Sequence, residues 1–310
     1  MKKFIILPDV TCDLSEEIRT AFGLEDYIQG YVHFSDGRDL KTTLDWSNIS
    51  RDEFYKTLSN KKMEVSTAPA SPEDYYVIFK KYVEAGYGIL NMSISSKISS
   101  TYNVASGAAD RVRKEYPDCN IYCFDSLRMA GALGLLVIYA LELKKEGKSM
   151  DEIIDWLEEN KHKVHQMGPI DDLIFVARRG RISMGKAIMG NFAGVKPMGD
   201  CNREGYVSVL TKAKGMNKAL ALTVEYTRAT ATDIENQYVL VSHSDREAYA
   251  KTLADMIKKE LNPKAVYVSD VFSGSGTNVG PGMVGLYFLG EEISEDLSVE
   301  KATMDKLTQK

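Results

Sequence analysis

Cysteine and histidine are scarce in this sequence, four of each among 310 residues, and their spacing excludes most disulfide and metal chemistry. Cys12, Cys119, Cys123 and Cys201 form no C-x-x-C pair and no dense framework, so reduced, inert thiols are expected. His162 and His165 are the one close histidine pair, in KHKVH, and His33 and His243 stand apart; a zinc site would need more ligands at matching spacing. No metal and no cofactor is therefore expected. A basic surplus is missing too. With 39 Lys and Arg against 44 Asp and Glu, the net charge of −5 gives no general attraction to nucleic acid or to an anionic membrane.

Long apolar runs are also lacking. The most apolar stretch, Met129 to Leu143, is shorter than the about 18 residues a membrane helix needs and contains glycines, so it reads as a buried helix. Pro8 and Asp9 interrupt the first apolar run too early for a signal peptide. A cytoplasmic protein without stable membrane insertion is expected.

Nucleotide and nucleophile motifs fail as well. Gly274-x-Gly276-x-x-x-Gly280 misses the dinucleotide spacing by one residue and leads toward a strand-like Met283 to Leu289. Gly147-Lys148-Ser149 ends like a P-loop but has Glu142 where the leading glycine belongs. No G-x-S-x-G elbow occurs. Ser183 and Lys186 match S-x-x-K, but Ser59 and Lys62 match it equally, and the companion S-D-N and K-T-G elements are absent.

What is present is an alternation of strand and helix signals over the first half, which argues for a largely parallel sheet flanked by helices. Strands are expected at Phe4 to Leu7, Gly88 to Ser93 and Asn120 to Phe124. Gly23 and Gly86 should end helices, and Ser71-Pro72 should start one. Capping boxes are expected at Ser50 with Glu53, Ser149 with Glu152, and Ser244 with Glu247. Helices are expected from about Ser99 to Tyr116 and from Leu127 to Lys145. Beyond that the texture changes, with strand-like Leu173 to Val176 and Tyr206 to Leu210, then helix-strand units to Gly290 and a charged surface tail. Two α/β domains follow, residues 1–161 and 162–310.

Hydroxyl clusters stand out: Thr11, then Ser66 and Thr67, then Ser95, Ser96, Ser99, Ser100 and Thr101. At the carboxyl edge of a parallel sheet such residues line crevices, and with helix N-termini they suit an anion. They supply donors without a base, nucleophile or metal, which fits binding more than catalysis. The bland reading is that Ser71 and Ser99 are N-caps and the others lie in solvated turns.

The segments PDVTCDL, VSTAPASPEDY, SISSKISSTYNVASGA, YCFDSLRMAGALG, LIFVARRGRISMGKA, VKPMGDCNREGYVSVLTKAKGMNKAL and GSGTNVGPGMVGLYF, in that order, resemble the DegV family. The resemblance implies two α/β domains with an acyl pocket between them, and a bacterial fatty acid-binding protein that offers its ligand to a separate fatty acid kinase. It implies that a long-chain fatty acid sits with its carboxylate at the pocket mouth. Burying about 16 carbons at about 0.8 kcal/mol per methylene is a gross gain on the order of 12 kcal/mol. The carboxylate must then be hydrogen-bonded or lose its charge.

Carried onto this chain, the family elements fall on Ser66 to Pro69 and on Ile94 to Tyr102, making Ser66, Thr67, Ser95, Ser96 and Thr101 candidate ligand residues, with Lys214, Asn278 and Gly280 beside them. Asp9 and Asp13 are expected to organise the first loop and cap the first helix. Asn278 stands where many members have histidine, and Lys214 where they have arginine. Arg179 and Arg181, with Arg178 and Lys186, are candidates for docking the kinase. Competing readings are a cofactor-independent serine acyl hydrolase or transferase using Ser95 or Ser96 with His243, or a carrier of another lipid on the same fold.

Overall fold

The computed structural model describes residues 3–182 and 194–309; Ser183 and Lys186 lie outside the described residues. FIILP is apolar throughout and rich in β-branched isoleucine, as a strand buried on both faces requires. It forms β1 (Phe4–Pro8), with every residue buried. β1 pairs in parallel with β5 (Gly88–Ser93), which pairs in parallel with β6 (Ile121–Asp125). α1 (Glu16–Phe22), α2 (Arg51–Ser59), α3 (Pro72–Glu84) and α4 (Thr101–Glu115) intervene.

Local chemistry explains the boundaries. Gly23 closes α1 at φ +74° and Gly86 follows α3 at φ +80°, the left-handed region open to glycine. Ser71 and Asp74 form a reciprocal capping box with Pro72 in the first turn of α3. Ser149 and Glu152 do the same for α6 (Met150–Asn160). Tyr75 and Phe79, one turn apart on α3, bury against Ile5, Leu7 and Ile89 of the sheet and Ala105, Ala108 and Ala109 of α4.

A second small sheet departs from the alternating pattern. β2 (Tyr31–Phe34), β3 (Asp39–Lys41) and β4 (Val65–Ala68) pair antiparallel in the order β3-β2-β4. Asp36-Gly37, with Gly37 at φ +91°, is a hairpin signal between the first two. Ser66 and Thr67 thus sit within a strand of this sheet, not at the carboxyl edge of the parallel one.

The six-stranded sheet runs β11-β10-β12-β7-β8-β9, built from β7 (Val164–Pro169), β8 (Val195–Cys201), β9 (Val207–Lys214), β10 (Tyr238–His243), β11 (Ala265–Asp270) and β12 (Val284–Leu289). β10 and β11 are parallel and the other pairs antiparallel. Its outer face packs on α8 (Met216–Thr230), α9 (Glu247–Leu261) and α11 (Ser298–Thr308), burying Leu220, Ile257, Phe288 and Met304 together. The tail therefore contributes Met304 and Leu297 to the core instead of only lying on the surface.

Two further expectations change. Leu173 to Val176 is helical, in α7 (Leu173–Arg178), because Asp172 accepts from the N–H groups of Ile174 and Phe175 at 2.9 and 3.1 Å and so caps the turn. Ser244 does not cap α9; its hydroxyl accepts from Met283 N at 2.8 Å, and Arg246 holds the cap position.

α5 (Gly131–Lys145) is buried through nearly all of its first eleven residues and joins the sheets. Leu133 and Leu136 share one core with Ile6 and Leu90 on one side and Leu240 and Tyr287 on the other. Gly134 and Gly131 permit this approach: a Cβ would lie 2.4 Å from Cys12 O and 2.3 Å from the Tyr287 ring. No described helix is long and apolar enough to cross a membrane.

Candidate ligand-binding site

A cavity of ≈ 570 Å³ lies where the loops after β1 and β5 meet β4, α7, the short helix α10 (Ser273–Val279) and the inner face of the six-stranded sheet. Its size suits a small-molecule site. Ile94, Ile98, Met129, Leu173, Val176 and Met198 supply apolar wall, and Thr67, Ser96, Thr101 and Asn278 supply hydroxyl, amide and backbone groups. The glycine-rich segment GSGTNV is itself helical after β11, so the dinucleotide reading fails on its spacing.

The loops are fastened by buried acids. Asp9 accepts from Thr11 N at 2.8 Å and Ile94 N at 2.7 Å, tying the loop after β1 to that after β5. Burial pushes its carboxyl above the ordinary range, against the lowering effect of these bonds. Asp13, left-handed at φ 51°, accepts from Phe272 N at 2.9 Å, and burial raises its carboxyl strongly. It joins this loop to the start of α10 and does not cap α1, whose N-cap is Ser15.

Asn278 reaches from α10 to β4, its Nδ2 donating to Thr67 Oγ1 at 3.1 Å and, more weakly, to Gly274 O at 3.4 Å. Thr67 accepts there, which leaves its own O–H free to donate. Thr67, Ser96, Thr101, Asn278 and Arg181 line the cavity. Ser66, Ser95, Lys214, Gly280 and Arg179 are not among the lining residues. Ser66 alternates with Thr67 along β4 and is exposed. Ser95 is fully buried, donating to Gly205 O at 3.0 Å and accepting from Lys97 N at 3.2 Å. Lys214 is exposed at the end of β9.

Gly280, at φ +74°, would drive a Cβ to 2.6 Å from the Phe175 ring, so it shapes the contact of α10 with α7. Arg179 donates to Val65 O and Arg181 to Arg179 O, and burial lowers both guanidinium pKa values. Ser99 accepts from Thr101 N at 3.3 Å and shares a hydrogen bond with its hydroxyl, while Ser100 holds the N-cap position.

The serine-histidine pairing is not assembled among the described residues. His243 Nδ1 accepts from Arg246 N at 3.3 Å and Nε2 lies 3.4 Å from Asp270 Oδ1, while Ser95 is committed to Gly205.

Sequence reasoning missed Arg128. Fully buried, it donates from Nε to Lys161 O at 2.7 Å and from Nη1 to Cys201 O at 2.9 Å, while its carbonyl accepts from Ser95 N at 2.9 Å. It fastens the β8–β9 hairpin, a wall of the cavity, to the loop after β6. The inner-face residues Gln166, Gly168, Gly199, Gly285 and Tyr287 were also missed; the glycines have no chemical group to betray them, and their strands' pairing is not local.

Residues 3–291 match the family model described as an uncharacterised protein, DegV family COG1307. The chain belongs to the DegV family. This DegV-family chain is 32% identical over 291 residues to a DegV domain-containing protein of Clostridium perfringens, covering 94% of this chain and 99% of that one. It is similar to a fatty acid-binding DegV family protein from Thermus thermophilus, with a TM-score of 0.82, 25% identity, and coverage of 94% of this chain and 100% of that one. A Thermotoga maritima protein with a fatty acid binding function gives a TM-score of 0.80 at 25% identity, with the same coverage of 94% and 100%. The DegV fold, a parallel sheet flanked by helices beside a second sheet-based unit, is thus this chain's fold.

Proposed function

We propose that this DegV-family protein binds one long-chain fatty acid in the cavity, with its carboxylate beside Thr67 and Asn278, and presents that carboxylate to a separate kinase that makes the acyl phosphate. The carrying observation is a cavity of ≈ 570 Å³ whose wall is mainly apolar but includes Thr67, Ser96, Thr101 and Asn278. An acyl chain gains from the apolar wall in proportion to the methylenes it buries. A carboxylate buried with it needs donors, and the free O–H of Thr67 is the first we assign. The fatty acid binding of the two solved relatives supports the same reading.

In this reading Ser95 and Gly280 act from behind the lining, by holding the loop after β5 and the α10–α7 contact. Ser66 and Lys214 have no direct part in holding the acid. Arg179 and Arg181 lie on the side where the kinase docks. Residues 1–161 and 162–310 form the two units between which the ligand lies, and the protein works in the cytoplasm without binding nucleic acid.

Native mass spectrometry of the purified protein tests the reading, with identification of any molecule released on denaturation. A one-to-one adduct with a fatty acid mass is expected. A clean apo mass, with no uptake of added palmitate or oleate, would reject it.

A further inference from the structure

The inner face of the six-stranded sheet carries a bare strip. Gly285 on β12 stands opposite Gly168 on β7, in the register that pairs Leu286 with Met167, and Gly168 pairs with Gly199 on β8. Gly199 in turn faces Val209 on β9. All four line the cavity. Three adjacent strands therefore present backbone alone in one row, which at the usual strand spacing spans about 10 Å.

The row has sides and ends. Along one side stand Gln166 and Tyr287, paired across β7 and β12; along the other stand Ile170, Pro197 and Met283, which also line the cavity. The Tyr287 hydroxyl and Ser242 Oγ, 2.8 Å apart, close the end beyond Gly285. Val209, packed against the cluster of Leu173 and Val176, closes the other. A trough of this form has a floor of peptide groups paired within the sheet and is bounded along both edges by side chains, so it suits a single polymethylene chain lying across the strands.

We propose that this glycine row seats the distal part of the acyl chain, and that Val209 sets the chain length and Gly285 the width the protein accepts. The inference rests on the fatty acid reading and names the selectivity of that site. Gly168 and Gly199 are poor test positions, since a Cβ at either would lie 2.0 Å from a backbone carbonyl oxygen, of Val284 or Ser208. At Gly285 a Cβ would meet the Tyr287 hydroxyl at 2.7 Å and Met283 Sδ at 3.2 Å, side-chain atoms that can yield.

The test is calorimetric titration of the full chain and its Val209→Phe, Val209→Ala and Gly285→Ala variants with saturated acids from dodecanoate to eicosanoate. Val209→Phe is expected to weaken octadecanoate about tenfold, the equivalent of about two methylenes left unburied, while dodecanoate is little changed. Val209→Ala should move the optimum toward longer chains, and Gly285→Ala should disfavour methyl-branched acids relative to straight ones. Folded variants that keep the wild-type profile would overturn the inference and leave the fatty acid reading intact. Wild-type protein that takes up no acid of any length would overturn both.

Discussion

Asn278 donates to the hydroxyl oxygen of Thr67 across 3.1 Å, linking α10 to β4 at the cavity wall. Because Asn278 is the donor, Thr67 keeps its proton for a ligand. Asn278→Asp reverses this: the new carboxylate accepts the Thr67 O–H hydrogen bond and repels a bound carboxylate. Palmitate affinity should fall by about 1.5–3 kcal/mol, the range for a lost hydrogen bond to a charged group. Titration calorimetry of Asn278→Asp beside Thr67→Val measures it, and unchanged affinity in both would place the carboxylate elsewhere.

Arg128 serves the carbonyls of Lys161 and Cys201, and more weakly that of Asn202 at 3.4 Å, in a fully buried setting. Replacing it by methionine keeps bulk but leaves Lys161 O and Cys201 O without their donor, at about 1–3 kcal/mol each. Urea denaturation should show a loss on the order of 3 kcal/mol, and no loss would mean the hairpin is held without this residue.

Asp13 is raised strongly by burial, so its folded pKa exceeds the unfolded one. The native state then binds the proton more tightly, and the penalty grows as pH rises above the unfolded pKa. Asp13→Asn, which retains an acceptor for Phe272 N, should be at least as stable as wild type at neutral pH. That advantage should shrink as pH falls toward the ordinary aspartate range and be gone below it. A wild-type advantage at pH 7 would show that the charge is needed where it stands.

His162 titrates in the opposite sense. Burial and then the Arg128 charge depress its pKa from 6.5 to about 4. The folded state disfavours the imidazolium, so its contribution is complete above pH 6.5 and is lost as pH falls toward 4. His162→Gln should flatten this part of the stability profile. Equal slopes for the two proteins in denaturation series between pH 7 and 4 would contradict it.

How far the sequence could be read depends on the range of the interactions. Strand β5 and the start and stop of α3 are written in neighbouring residues: the apolar run from Ile89, the Ser71 box, the glycine at 86. α7 escaped because Leu173 to Val176 is too short to show a period, and the Asp172 cap decides it. At the site, the family pattern named Ser66 and Thr67 alike, but the pleat of β4 sends only Thr67 to the cavity. Ser95 and Ser96 were equivalent as letters. A carbonyl from Gly205, 110 residues away, claims Ser95.

Helix α5 has consequences for synthesis of the chain. It is apolar nearly all round, and its partners Leu240 and Tyr287 come from β10 and β12, roughly 100 residues or more behind it on the ribosome. At about 5–20 residues per second, the nascent chain carries this helix with one face unmatched for several seconds to about half a minute. Through that interval the first half cannot complete its core, and the apolar face of α5 stays open until the last strands emerge.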